Sequence, residues 1–271
     1  MKPIFRNILF IITLFCVNGA LYAKPLMNQK PKLYAVVIGV GDYPNANFSS
    51  KFSKNDATAI YHRLKGQIGE IYTEGSIKLL NQPEQTTQAA IQQTFIEIKS
   101  KIKPEDVFVL YIAGEADRID ETFYLLTSQS QDFTAEQLKY TAISTIQLKK
   151  WIADIPTTNK LILLDTSMSD SVIKMNDVFA KNISKCKSGM ILTAGRYTVE
   201  EGFRGHSVFT YTILDALSGI ADQNKNGFIE SNEMAQYVEA AIPMIAKQAF
   251  NRQQIPYIDR CGGNLKFKKV Q

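Results

Sequence analysis

Histidine is the scarcest chemistry-bearing residue in this 271-residue chain, which has two, His62 and His206. Acid–base chemistry by imidazole near neutral pH therefore has only two sources. Cysteine is nearly as rare: Cys16, Cys186 and Cys261 are too few for a disulfide framework and lack the paired spacing of a zinc site. Neither sign of charge dominates, with 31 basic against 26 acidic residues. No dense Lys/Arg stripe with interleaved aromatics appears, which argues against a nucleic-acid surface. No Pro/Gly/Ser linker and no internal repeat interrupts residues 33–270, which excludes a string of small modules. What remains, at 45% hydrophobic and 21% charged residues, is enough to bury one full core.

The N-terminus reads "MKPIFRNILFIITLFCVNGALYAK". Lys2 and Arg6 precede an apolar run from Ile8 to Val17, and the small residues Gly19, Ala20 and Ala23 follow. That is the plan of a secretory signal peptide over residues 1–23. The run is short of the roughly 20 residues that span a bilayer, although an uncleaved anchor is the rival reading. Bulky Phe15 before Cys16 argues against a lipidated cysteine, and cleavage is expected after Ala23. Loss of Lys2 and Arg6 lowers the net charge from +5 to +3. The product is expected to be secreted or periplasmic and not membrane-spanning, with Cys186 and Cys261 in an oxidising compartment where they either pair or stay free. Residues 24–32 form a short linker.

From Leu33 onward, apolar runs alternate with amphipathic segments, the pattern of βαβ units around a parallel sheet. Strands are expected at "LYAVVIGV", "SIKLLN", "DVFVLYIAG", "TFYLLTS", "KLILLDTS", "GMILTAG" and "LKFKKV". Their continuous hydrophobicity suits strands covered on both faces. Helices are expected at "NDATAIYHRLKG", "TTQAAIQQTFIEIKSKI", "STIQLKKWIADI", "HSVFTYTILDALSGI" and "SNEMAQYVEAAIPMIAKQAF", with Thr86 or Thr87 and Ser144 as N-caps. The expected fold class is α/β: one domain over residues 33–270, a three-layer αβα sandwich with a mostly parallel central sheet.

Open α/β sheets do their chemistry at the carboxyl ends of their strands. In "LILLDTSMSD", Asp165, Thr166, Ser167, Ser169 and Asp170 crowd such an end. The ordered set "YAVVIGVGDYPN", "KNDA", "DVFVLYIAGEAD", "TFYLLTSQS", "KLILLDTSMSD", "GHSVFTYTILDAL" and "QIPYIDRCGGNLKF" resembles the caspase-like and metacaspase-like cysteine peptidases of the caspase–hemoglobinase fold. The resemblance covers nearly the whole chain after the signal peptide. It implies a caspase-like fold and an endopeptidase activity directed at Arg or Lys.

The residues that carry that activity are replaced. The family's general-base histidine, flanked by two glycines, falls on Glu115 between Gly114 and Ala116, and its nucleophilic cysteine falls on Ser167. Met168 and Asp170 also depart from the family pattern. A cysteine peptidase needs a thiolate whose pKa an imidazolium pulls down. A serine hydroxyl is far harder to ionise, and a carboxylate works as base and then acid near neutrality only with a raised pKa. In another protease, loss of nucleophile or base costs roughly 10⁶ in turnover. His62 lies on a helix away from strand ends, and His206 opens a helix, so neither replaces the missing base without a rearranged site.

Some binding residues remain. The resemblance places Asp165 on the acidic residue that helps select Arg or Lys, and a carboxylate at a strand end suits a guanidinium. Asp165 capping the next helix or bonding loop backbone is an equal alternative. Gly114 and the backbone N–H of Ser167 form a potential anion-accepting corner. Separately, "DQNKNGFIESNE", residues 222–233, has the spacing of an EF-hand-like calcium loop. Asp222, Asn224 and Asn226 offer side-chain oxygens, Phe228 its carbonyl and Glu233 a bidentate carboxylate. Gly227 permits the turn and Ile229 faces the core, while a plain polar connection between helices is the alternative. With so few formal charges the calcium affinity is expected to be low.

Three readings follow: an inactive pseudopeptidase that binds a peptide or protein segment or an active caspase-like relative, an atypical hydrolase in which Ser167 attacks with help from Glu115 or Asp117, and a calcium-stabilised envelope interaction module. The first is favoured, and the third is compatible with it.

Overall fold

The computed structural model describes residues 30–45, 48, 50–120, 122–131, 134–166, 187–196, 198 and 202–270. The expected signal peptide, Ser167, Met168, Asp170 and Cys186 lie outside the described residues.

Six strands form the main sheet: β1 (Lys32–Gly39), β2 (Thr73–Leu80), β3 (Val107–Gly114), β7 (Asn159–Thr166), β8 (Ser188–Arg196) and β10 (Ile255–Gly262). Their spatial order is β10-β8-β7-β3-β1-β2. The neighbours β2, β1, β3, β7 and β8 all run parallel, and β10 closes one edge antiparallel to β8. Three short strands, β4 (Ala116–Ile119), β5 (Thr122–Leu125) and β6 (Ile143–Ser144), make a second sheet. A third pairs β9 (Phe228–Glu230) with β11 (Lys266–Lys269).

The helices described are α1 (Ser53–Lys65), α2 (Gln88–Lys101), α3 (Ala135–Thr141), α4 (Thr145–Asp154), α5 (Val208–Asp215), continued by a π turn at Ala216–Ile220, and α6 (Ser231–Phe250). Alternate strand residues point to opposite faces, and this divides the core in two. Leu33, Ala35, Val37, Val109, Tyr111, Leu161 and Leu163 pack with Ile60 of α1, Phe209 of α5 and Val238 of α6. Val36, Ile38, Phe108, Leu110, Ile162 and Leu164 pack with Phe95 of α2 and Ile152 of α4. The αβα sandwich is thus the direct result of strands that are apolar on both faces.

Local chemistry sets the helix starts. Thr87, not Thr86, caps α2 by accepting the Ala90 N–H, while the Thr86 hydroxyl donates to the Gln82 carbonyl. Ser144 and Gln147 form a reciprocal capping box on α4. Two expected strands sit outside the main sheet: "TFYLLTS" supplies β5, and "LKFKKV" supplies β11. The main sheet instead gains β10, whose edge position and Pro256 make a weak strand signature. Cys261, on β10, is disulfide-bonded. Among the described residues no helix is long and apolar enough to cross a membrane.

Phe108 is fully buried on the central strand and tilts against Phe95, with ring centroids 6.1 Å apart. Phe108→Ala is expected to cost about 3–5 kcal/mol, measured as the loss of unfolding free energy in urea.

Candidate functional site

The strand order reverses beside β1, and the candidate residues gather at the carboxyl ends of β1, β3 and β7, where such a sheet opens a crevice. Register there is tight: Ala113 of β3 lies opposite Asp165 of β7, and Gly114 opposite Thr166. Glu115 follows at once, half-buried. Its backbone N–H donates to the Tyr43 hydroxyl at 2.8 Å, and that hydroxyl donates to the Val40 carbonyl at 3.1 Å. Burial pushes the Tyr43 phenol far up, so it stays a neutral donor. Gly114 is needed for this packing, because a Cβ there would stand 2.9 Å from the Tyr43 hydroxyl. Of the expected dyad positions and their neighbours, Gly114 and Glu115 are therefore at a strand tip whose partner strand ends one residue before Ser167.

The second feature is a pair of neighbouring carboxylates, one buried (Asp56) and one part-buried (Asp165). Asp56, in the first turn of α1, has a side chain only 1% exposed. Its Oδ2 accepts the backbone N–H of Ser207 at 3.1 Å, and its Oδ1 lies 2.6 Å from His206 Nδ1. Asp165 Oδ2 accepts the Ser207 hydroxyl, the Thr210 hydroxyl at 2.6 Å and the Tyr111 hydroxyl at 3.5 Å. The Tyr111 and Thr210 hydroxyls also lie 2.6 Å apart, so the Tyr111 proton alternates between Thr210 Oγ1 and the more distant Asp165 Oδ2. Ser207 thus bridges the two acids, and its hydroxyl also caps α5 by accepting the Thr210 N–H at 2.9 Å. Asp165 therefore bonds to side chains from β3 and from the start of α5. Among the described residues no Lys or Arg forms an ion pair with either acid.

Two carboxylates sharing one dry site cannot both ionise freely. Burial, and then the charge of Asp165, push Asp56 up to about 8, opposed by its bonds to Ser207. Burial also raises Asp165, against the three hydroxyls that stabilise its anion. Burial lowers the pKa of His206. Around neutrality the Asp56–His206 contact is consequently an uncharged pair sharing one proton.

His206 is presented by a tight turn. Phe203 and His206 form an antiparallel bridge with both backbone hydrogen bonds made. Arg204 and Gly205 between them have φ of 53° and 88°, the pattern of a two-residue hairpin turn. Asn55 Nδ2 donates to the Gly205 carbonyl at 2.9 Å, and the Arg204 guanidinium lies over the rings of Phe203 and Tyr211. His62, by contrast, is exposed on α1 beside Tyr61.

Residues 222–233 form a separate, tightly turned loop. Asp222 accepts the N–H groups of Asn226 and Gly227, each at 3.1 Å, and Asn224 Oδ1 accepts that of Asn226 at 2.9 Å. Asn226 Oδ1 accepts from Phe228 N, and Glu233 spans the loop, accepting from Asn224 N at 3.3 Å and Glu230 N at 3.0 Å. Gly227, at φ 80°, supplies the left-handed residue the turn requires. Ile229 is fully buried. Asp222, Asn224, Asn226, the Phe228 carbonyl and Glu233 are the oxygens that fit a hard cation. Only two of them are carboxylates, and among the described residues no cluster of three or more His, Cys, Asp or Glu groups could hold a metal.

These features define a caspase-like α/β protein with two neighbouring carboxylates at the carboxyl edge of its sheet. Residues 32–267 match the model of the caspase domain, and the chain belongs to that peptidase family. Among solved structures the chain is similar to the Drosophila initiator caspase Dronc, with a TM-score of 0.52 at 10% identity, over 87% of this chain and 81% of that one. At that identity the likeness concerns the fold. Comparison with curated proteins finds no match.

Sequence reasoning reached Gly114, Glu115 and Asp165 but passed over Asp56, Tyr111, Ser207 and Thr210. The available signal was an acid in "KNDA" just after the first strand, but only the fold reveals that it meets "HSVFT". Folding keeps on Asp56 a proton that the unfolded chain releases near pH 4, so this contribution to stability is full below that value and is lost as pH rises through about 8. His206 acts oppositely: folding keeps it neutral, and stability is lost as pH falls through its lowered pKa. The two slopes offset each other until His206 is neutral in both states, above about pH 6.5. The unfolding free energy should therefore decline between pH 6.5 and 8 by up to about 1.4 kcal/mol per pH unit. Asp56→Asn should flatten that decline in urea titrations run across the same range.

Proposed function

We propose that this chain is a catalytically silent caspase-domain protein, a pseudopeptidase that binds a peptide or protein segment along the carboxyl edge of its sheet. Asp56 and Asp165 receive a basic side chain of that segment, and Gly114 and the backbone beside Glu115 line the adjoining stretch. The observation that carries this reading is the carboxylate pair without a lysine or arginine partner among the described residues; it lies one strand away from Glu115, which the family resemblance puts at the position of the base. A cation entering such a site gains a charge-assisted bond in a low-dielectric surrounding. The chemistry at the dyad positions is poor by comparison: Ser167 brings a hydroxyl where the family uses a thiol, and His206 is bound to Asp56.

In this reading the protein is secreted or periplasmic once cleaved after Ala23, and residues 222–233 hold a calcium ion of low affinity. Asp222, Asn224, Asn226, the Phe228 carbonyl and Glu233 supply its oxygens. The ion braces rather than signals, because the loop is stitched to the C-terminal strand. β9 pairs with β11, and the Val270 N–H donates to the Gly227 carbonyl at 2.8 Å.

The binding reading is tested with fluorogenic Arg and Lys peptides and with a fluorescein-labelled arginine peptide. No turnover that depends on Ser167 is expected, and Asp56→Asn together with Asp165→Asn should weaken binding by at least about tenfold, given roughly 1.5–3 kcal/mol for a charge-assisted bond. Cleavage that disappears in Ser167→Ala overturns the reading. For calcium, a dissociation constant of about 1 mM implies roughly 1.4 kcal/mol of stabilisation at 10 mM ion. That appears as a calcium-dependent rise in melting temperature, absent in Glu233→Ala.

A further inference from the structure

We infer that His206 is a resident competitor for the acidic pocket: its imidazole holds the Asp56 oxygen that a basic side chain takes, so ligand and ring exclude each other. This rests on the reading that Asp56 and Asp165 receive such a side chain.

Asp165 Oδ2 is held by the hydroxyls of Ser207, Thr210 and Tyr111, and Asp56 Oδ2 by the Ser207 N–H. These partners belong to the start of α5 and the central strand β3. Ser207 cannot leave without uncapping α5, and Tyr111 is fully buried. Asp56 Oδ1 is different, because its partner His206 Nδ1, at 2.6 Å, belongs to a side chain 21% exposed over a carboxylate 1% exposed. The imidazole is the part-exposed group in contact with the buried Asp56 carboxylate.

The ring can move while its support stays. The Phe203–His206 bridge and the bond from Asn55 Nδ2 to the Gly205 carbonyl fix the turn through backbone groups alone. A part-exposed side chain changes rotamer readily, and rotation of His206 outward uncovers Asp56 Oδ1 without disturbing the bridge. Arg204 does not take the vacated place, since its guanidinium lies over Phe203 and Tyr211 and bonds the Tyr211 hydroxyl at 3.4 Å. An incoming guanidinium or ammonium brings both the N–H donor and the positive charge that the pair lacks. Apparent affinity is then the intrinsic affinity reduced by the fraction of molecules in which the ring is out.

The test titrates a fluorescein-labelled peptide with one arginine among glycines and alanines, and its citrulline counterpart, into the protein and into His206→Ala. Arginine-peptide affinity should rise at least about tenfold in the variant, with no gain for citrulline. Equal or weaker arginine-peptide binding by His206→Ala overturns the competition and leaves the pocket standing. Absence of arginine-dependent binding in both proteins overturns the pocket and this inference together. Should His206→Ala fail to fold, NMR of the unaltered protein decides. The His206 ring resonances should move toward those of a solvent-exposed histidine on adding the arginine peptide alone, and an unmoved ring at saturation overturns the inference.

Discussion

Parallel pairing of β3 with β7 is the constraint on which the remainder of the site depends. Both strands are buried on both faces, so a slip of one residue would turn every side chain of one layer into the other. The pairs Ala113–Asp165 and Gly114–Thr166 are therefore fixed by the core. Asp165 is carried into the interior because its strand must be there, and it must find partners. It finds three hydroxyls, and those three come from β3 and the first turn of α5.

From that follows the position of α5. A carboxylate removed from water needs donors, and Ser207 supplies one to each acid, by its hydroxyl to Asp165 and by its N–H to Asp56. The same hydroxyl closes the first turn of α5. One residue thereby connects a strand end, a helix start and the opening of α1. The electrostatics are unfavourable to full ionisation: burial first, and then the charge of Asp165, raise the pKa of Asp56.

Much of the fold was legible in the sequence because buried parallel strands and their helices write long, uninterrupted patterns. "LYAVVIGV", "DVFVLYIAG" and "KLILLDTS" announce β1, β3 and β7 to within a residue or two, and "SNEMAQYVEAAIPMIAKQAF" is α6 itself. β10 was not legible as a strand, since an edge strand buries little and carries Pro256 in place of a donor. β5 and β11 were legible as strands but not as members of separate sheets, because pairing is decided by tertiary contact. The site divides in the same way. Gly114, Glu115 and Asp165 follow from position at strand ends. Asp56 and Ser207 do not, since they lie about 150 residues apart and meet only through the sheet order. The turn at residues 222–233 was legible as a turn, because most of the hydrogen bonds that shape it join residues close in sequence.

The two halves of the crevice differ in what their loss would do to the molecule. Glu115 stands one residue beyond the last pair of the β3–β7 ladder, so its side chain can change without breaking a bond of that ladder. The nucleophile and base of a peptidase are, in this fold, additions to a finished core. Asp165 is inside the ladder, and with Ser207 and Asp56 it helps to hold α1 and α5 in place; replacing it would strand Ser207, Thr210 and Tyr111 without their common acceptor, at the cost attached to buried unsatisfied hydroxyls. Side chains at the tip of β3 are therefore freer to change than the acid pair that joins β7, α1 and α5.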